Sequence, residues 1–375
     1  MKFLKAVLIL SGMIIGVGMF AIPFSFSVVG FWLGLVEFCV IAGVVLTLHL
    51  LYGEVVLATR GSHRLPGYVQ LHLGKTARTV ASISAVVGMS GILLAYLVVG
   101  SSFLKGIAQH VTQTSGIASG SILWVGIMVV IGGLVTRQDL KRESIISGFL
   151  AALLIFCILL LVSVLLPAVH LDNLTEFHPE RALFPYGIFL FALSGGVVVP
   201  DVIAVLGRKR IRSRAAVALG TLIPATLYVL FAFVVVGAAG SSVSPETISG
   251  LQTLVGTPTL LLLQIIGFLA VFTAMMALSE SLQELFEMDL RFSSNAAWVI
   301  AWGVPVALYI TGFHDFIRII SLVGAVAAGI DSALIIAMYT HIRQRGSHRG
   351  PVWRWILYGI ILLGVIYELL RFLAV

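Results

Sequence analysis

Five acidic residues stand out inside long apolar runs of this chain: Glu37, Glu54, Asp201, Glu280 and Asp331. A carboxylate in hydrocarbon is expensive, so it faces a protein interior or a wet path, where it can carry a proton or a cation. Asp331, in AVAAGIDSALII, and Asp201, in VVVPDVIAVL, are the leading candidates for that role, with Glu37 beside them. Glu54 lies near the end of its run, where solvent reaches it. Glu280, Glu284 and Glu287 share one helical stripe, a pattern that emerges into solvent and meets basic loops. A second chemistry lies in the backbone. SGMIIGVGMFAIP sets Gly12, Gly16 and Gly18 ahead of Pro23, and FLFALSGGVVVPDVIAVL sets Ser194, Gly195 and Gly196 ahead of Pro200. Such residues interrupt a helix and free its N–H and C=O groups. In a bilayer those groups survive only inside protein or along a cavity. Freed N–H groups at a half-helix N-terminus can hold a carboxylate, and freed carbonyls an ammonium or cation.

These groups need apolar helices to carry them. Of the 375 residues, 59% are hydrophobic and 10% charged, against about 25% charged in soluble domains. The reading is therefore an all-α integral membrane protein of one domain. A span needs about 20 apolar residues. Eleven candidates are read at 4–28, 31–58, 79–108, 118–136, 144–166, 183–206, 215–239, 257–283, 296–312, 316–340 and 353–374. All but four of the 23 Lys and Arg fall on one side of this arrangement. The exceptions are Lys105, Arg181, Arg318 and Arg371. Cationic loops stay inside, which puts the N-terminus inside and the C-terminus outside. Because the basic charge is spread over inner loops, with GRKRIRSR after span 6 the densest, the net charge of +7 is a topology signal and excludes a nucleic-acid partner. Cys39 and Cys157 are read as small core residues, with no disulfide or metal site. The first apolar run continues too far for a cleaved signal.

The two interrupted spans match in position. Gly195 lies 179 positions after Gly16, and the same offset carries spans 2 to 5 onto spans 7 to 10. Five is odd, so the second copy enters the membrane from the opposite side. The first repeat covers about 4–166, the second about 183–340, and 353–374 is an additional span. Paired interrupted spans at corresponding positions of an inverted repeat point to a secondary transporter with its site near the midplane.

The stretch GMIIGVGMFAIP resembles the first-helix signature of the amino acid–polyamine–organocation superfamily. FALSGGVVVPD resembles the sixth helix of its amino acid/auxin permease and aromatic amino acid permease branches. The resemblance implies a LeuT-type fold of five plus five inverted spans, broken at helices 1 and 6, that works by alternating access on an α-amino acid. By that resemblance the substrate carboxylate meets Gly16, Val17, Gly18 and Met19. The ammonium meets carbonyls near Ser194 and Gly195, with Gly196 in the same break, and Tyr96 is a gating or substrate-contacting aromatic. Phe20, Phe189, Phe191 and Met275 are candidates for the side-chain pocket. Sodium-coupled relatives use two adjacent hydroxyls in span 8; here Thr273 is followed by Ala274. Some proton-coupled relatives carry a Lys in span 5, and here Ser144 to Leu166 is uncharged. The reading favours protons over sodium or exchange, with H+ or Na+ the only cofactor-like requirement.

An intramembrane hydrolase needs a nucleophile and a base. Ser194 lacks the flanking glycine of a nucleophile elbow. Of the nine histidines only His49 lies within a span, and the sequence assigns it no partner. The chain is thus read as no enzyme. A channel would need a more polar lining. The expected setting is a cytoplasmic membrane of a prokaryote, with lipid and a small-molecule substrate as partners.

Overall fold

The computed structural model describes residues 2–61, 63–112, 121–137, 155–156, 158–288, 290–343 and 352–374. Cys157, most of the fifth expected span and the cations Lys141, Arg142, Arg345 and Arg349 lie outside these residues. The apolar runs are helical because a bilayer offers backbone groups no other partner. Among the described residues seven helices are long and apolar enough to cross a membrane, and an eighth if a bent pair counts as one. Three shorter apolar helices, Ile122–Thr136, Ile158–Ala168 and Ser294–Ile310, coincide with the remaining expected spans.

The bent pair is span 1. Lys2–Ile14 stops, a 3₁₀ turn runs over Val17–Ala21, and Ile22–Val29 continues at 52° to the first half. Span 6 is interrupted at the matching place but stays one span, without a bend above 40°: Tyr186–Leu193, then Ser194 and Gly195, a 3₁₀ turn at Gly196–Val198, and Val199–Val205. Unbroken helices surround them: span 2 is Phe31–Ala58, span 3 Lys75–Thr112, span 7 Arg210–Ala239 and span 8 Thr257–Met288. Span 10 is Phe316–Leu322, a π-helical turn at Val323–Ala327 and Ala328–Arg343; span 11 is Trp353–Leu373. The basic connection after span 2 contains a helix of its own, Leu65–Leu73, which the hydropathy pattern hid.

Spans 1, 2, 6 and 7 pack on one another, and span 3 packs along span 8. Lipid tails compete equally for apolar side chains, so membrane helices associate through close backbone approach and polar bonds. Both are present in the four-span unit. A methyl built on Gly220 of span 7 would lie 2.8 Å from Leu10 Cβ. Pro224 cannot donate to the Gly220 carbonyl one turn back, and the Ser11 hydroxyl of span 1 donates to it at 3.2 Å. At the face carrying the N-terminus, Glu54 of span 2 pairs with Arg210 at 2.7 Å and Arg214 at 3.8 Å. Glu54 therefore joins spans 2 and 7 there. The Arg208 guanidinium donates to the carbonyls of Val56, Leu57 and Thr59, closing the C-terminus of span 2. Cys39 is exposed on span 2, which corrects the expectation that it fills the core.

Candidate functional site

The two breaks lie against each other. A methyl built on Gly18 would sit 2.8 Å from Ala192 Cα, in the last turn of the first half of span 6. One built on Gly195 would sit 2.6 Å from Ile14 Cγ1 and 2.9 Å from Leu10 Cδ1, on the first half of span 1. Neither Gly16 (φ −138°) nor Gly195 (φ −144°) has a left-handed backbone. Gly18 and Gly195 are small because the chains touch there. Gly16 is open: the nearest atoms to a built methyl are the Tyr96 hydroxyl at 3.9 Å and the Ile14 carbonyl at 4.0 Å. Tyr96 of span 3 thus presents its hydroxyl to the first break.

Several of the groups freed by the breaks are taken up. Ile14 O has lost its donor four residues on, and the buried Tyr228 hydroxyl of span 7 donates to it at 2.7 Å. Met19 N–H donates to Gly16 O at 3.1 Å, closing the 3₁₀ turn. In span 6, Ser194 N–H donates to Phe191 O, and its hydroxyl donates to the Leu190 carbonyl at 2.6 Å in the backbone's place. Gly195 N–H donates to His49 Nε2 at 3.3 Å. Among the described residues no protein group accepts from Val17 or Gly18 N–H. Those two donors head the second half of span 1, where the helix dipole favours an anion.

The acids are distributed unevenly. Asp331 follows the π-helical turn of span 10 and accepts from the Ser84 hydroxyl of span 3 at 2.9 Å; the same hydroxyl lies 3.1 Å from Ala327 O. Single π-helical turns recur at functional sites. Asp201 is exposed in the first turn after the span 6 break, within electrostatic reach of Arg64. Both carboxylates lie within electrostatic reach of the Tyr52 hydroxyl of span 2. That hydroxyl is buried without a hydrogen-bond partner among the described residues, its ring edge-on to Tyr68 at 5.9 Å. Tyr68 and Pro200 line a cavity of about 420 Å³ open on the face that carries the N-terminus, with Val56, Ala204 and Arg208. Arg64 pairs with Glu284 of span 8 at 2.6 Å, so the acidic stripe does meet a basic loop.

Glu37 is not part of this group: one carboxylate oxygen is buried without a partner among the described residues, and Tyr367 of span 11 is an electrostatic neighbour. Thr273 donates to Leu269 O and Ala270 O of its own helix. Of the pocket candidates, Phe20 meets Phe103 edge-on at 5.1 Å beside the first break. Phe191 borders Gly18. Phe189 belongs to an aromatic cluster with Phe26 and Phe38, and Met275 is fully buried. Sequence reasoning missed Tyr228 and Thr221, and left His49 without partners. It also missed Glu368, buried in span 11, which accepts from the Ser321 hydroxyl at 2.6 Å with Arg371 at 3.3 Å.

Comparison with known proteins gives this geometry a context. The chain superposes on the structure of MhsT in complex with L-phenylalanine with a TM-score of 0.64 at 16% identity, covering 99% of this chain and 98% of that one. It superposes on the inward-facing conformation of Mhp1 with a TM-score of 0.70 at 16% identity, covering 99% and 89%. The fold is therefore the LeuT type, with helices 1 and 6 broken. Glutamine transporter 2 of Aliivibrio fischeri (strain ATCC 700601 / ES114) is 20% identical over 357 residues, covering 92% of this chain and 90% of that protein. The model of the tryptophan/tyrosine permease family matches residues 1–371, and the chain belongs to that family.

Proposed function

We propose that the protein is a secondary transporter that moves an α-amino acid with an aromatic side chain across the cytoplasmic membrane by alternating access. The observation that carries the reading is the juxtaposition of the breaks, with Val17 and Gly18 N–H unclaimed and the Tyr96 hydroxyl facing Gly16. In this reading the α-carboxylate binds those N–H groups with Gly16 and Met19 beside them. The ammonium binds span 6 around Ser194, Gly195 and Gly196. An aromatic side chain is supported by the family and by the phenylalanine held in MhsT; it also fits the aromatic amino acid permease branch that the motifs resemble. Glutamine is the second reading, supported by the Aliivibrio relative.

Protons drive uptake in this account, through Asp331 and Asp201 around Tyr52, without the sodium site that Thr273 would anchor. The two inverted repeats are 4–166 and 183–340, with 353–374 as an addition. The face of the Arg208 cavity is cytoplasmic and holds the N-terminus, supported by the cation asymmetry of the loops. The test is uptake of radiolabelled L-amino acids by liposomes holding the purified protein, first with an inward pH gradient, then with an inward sodium gradient. Accumulation of aromatic amino acids that follows the pH gradient and collapses with a protonophore is the expected result. Accumulation only with sodium overturns the coupling, and no accumulation of any amino acid overturns the function.

A further inference from the structure

We infer that His49 is a positioning residue for the break of span 6, acting as a neutral imidazole whose Nε2 lone pair holds Gly195 N–H. The inference rests on the proposed transport function for its kinetic consequence, though not for its chemistry. His49 is 4% exposed in the middle of span 2, and it touches two other spans. Gly195 N–H lies 3.3 Å from Nε2, and the Thr221 hydroxyl of span 7 lies 2.9 Å from Nδ1. Gly196 packs alongside: a methyl built there would meet His49 Cδ2 at 3.6 Å.

Donor and acceptor rules fix the protons. A backbone N–H can only donate, so Nε2 must be the acceptor and carries no hydrogen. A neutral imidazole then has its hydrogen on Nδ1, which donates to Thr221 Oγ1. The Thr221 hydroxyl in turn donates to Val217 O at 2.9 Å, one turn back in its own helix. The chain of three bonds has a single direction and ends on a carbonyl. Its result is to satisfy a buried N–H that the span 6 break takes out of the helix ladder. An imidazolium would set an Nε2–H against Gly195 N–H, two donors facing each other, and the break would have to move. No ion pair among the described residues reaches the ring to favour that charge. His49 therefore holds the geometry of Gly195 to Val198 and leaves proton carriage to other groups.

Two variants separate the acceptor from the rest of the ring. Gln places its amide where Nε2 stood, and Asn places its amide where Nδ1 stood. His49→Gln keeps the KM for amino acid uptake within about twofold of wild type, whereas His49→Asn raises KM by about tenfold, because a buried N–H is left unmatched. Neither variant changes the pH profile of uptake. Equal losses in the two variants, or a pH profile altered by His49→Gln, would overturn the role. A measurement independent of transport accompanies these. In ¹⁵N-histidine NMR of the wild-type protein, the resonances lost in His49→Gln should show a protonated Nδ1 and a bare Nε2 from pH 6 to pH 8. A protonated Nε2 would overturn the inference even if the protein transports normally. If the wild-type protein transports no amino acid, the proposed function fails while the NMR result still decides the state of His49.

Discussion

Gly16 and Gly18 stand two residues apart in the same break, yet alanine should act on them in opposite ways. At Gly18 the new methyl would lie 2.8 Å from Ala192 Cα and 3.0 Å from Phe191 Cδ1. The first of these is backbone and cannot rotate away, so the two breaks must separate. Overpacking of this kind costs about 1–3 kcal/mol. At Gly16 the nearest atoms are 3.9 Å away, an ordinary contact. The backbone there is extended, at φ −138° and ψ −158°, which alanine adopts without strain. Gly16→Ala should therefore leave stability unchanged within about 0.5 kcal/mol. What its methyl does occupy is the space next to the Tyr96 hydroxyl, where the substrate carboxylate is proposed to sit. The account predicts a rise in KM of roughly tenfold, which is about 1.4 kcal/mol of lost binding. The assay pairs a thermal melt in detergent with uptake kinetics. Gly18→Ala should melt several degrees lower, and Gly16→Ala should melt with the wild type but bind poorly. A Gly16→Ala protein with wild-type KM would refute recognition at this break. A Gly18→Ala protein of wild-type stability would refute the close approach of the two spans.

Asp331→Asn retains an oxygen for the Ser84 hydroxyl but cannot release a proton; it should lose accumulation driven by a pH gradient while keeping exchange of labelled for unlabelled substrate, both read in the same liposomes. Tyr228→Phe keeps the ring but removes the donor to Ile14 O, so stability should fall by about 1–3 kcal/mol, as a melt would show. Glu246 lies in the loop before span 8, next to Thr247, whose buried hydroxyl bonds Phe20 O at 2.5 Å. Burial holds the Glu246 carboxyl above the usual range, opposed by hydrogen bonds from its own backbone and from Ser244. A raised acid binds its proton more tightly in the folded state, so docking of this loop is firmest at low pH and weakens as pH rises through that carboxyl's titration. Amide exchange across Glu246 to Leu251, taken relative to the intrinsic rate at each pH, should quicken over that rise in the wild type and stay flat in Glu246→Gln.

The breaks were legible because their signals are local: glycines and a proline within a dozen residues, seen twice at a fixed offset. The burial of Asp331 was foreseeable because one acid in an apolar run needs no partner to be noticed; its part in coupling is proposed. The groups that finish the site were not legible. Tyr228 reaches Ile14 across 214 positions, and His49 reaches Gly195 across 146. Such bonds depend on helix rotation, which hydropathy does not encode when a helix is apolar all round. Glu368 was not singled out because what marks it, the Ser321 hydroxyl, lies 47 positions away on another span. The glycines show the limit from the other side. Their placement was read correctly, but whether Gly195 served backbone angle or backbone approach required Ile14 on the opposite wall.

The central claim is that backbone groups of the two breaks hold the α-carboxylate and α-ammonium of an amino acid. Calorimetric binding to the purified protein tests it directly, comparing L-phenylalanine with its amide and with its N-acetyl derivative. The account predicts that the free amino acid binds and that blocking either end weakens binding at least tenfold, since each modification removes a charge the breaks are built to meet. Equal affinity for all three would contradict it and leave the paired breaks as packing alone.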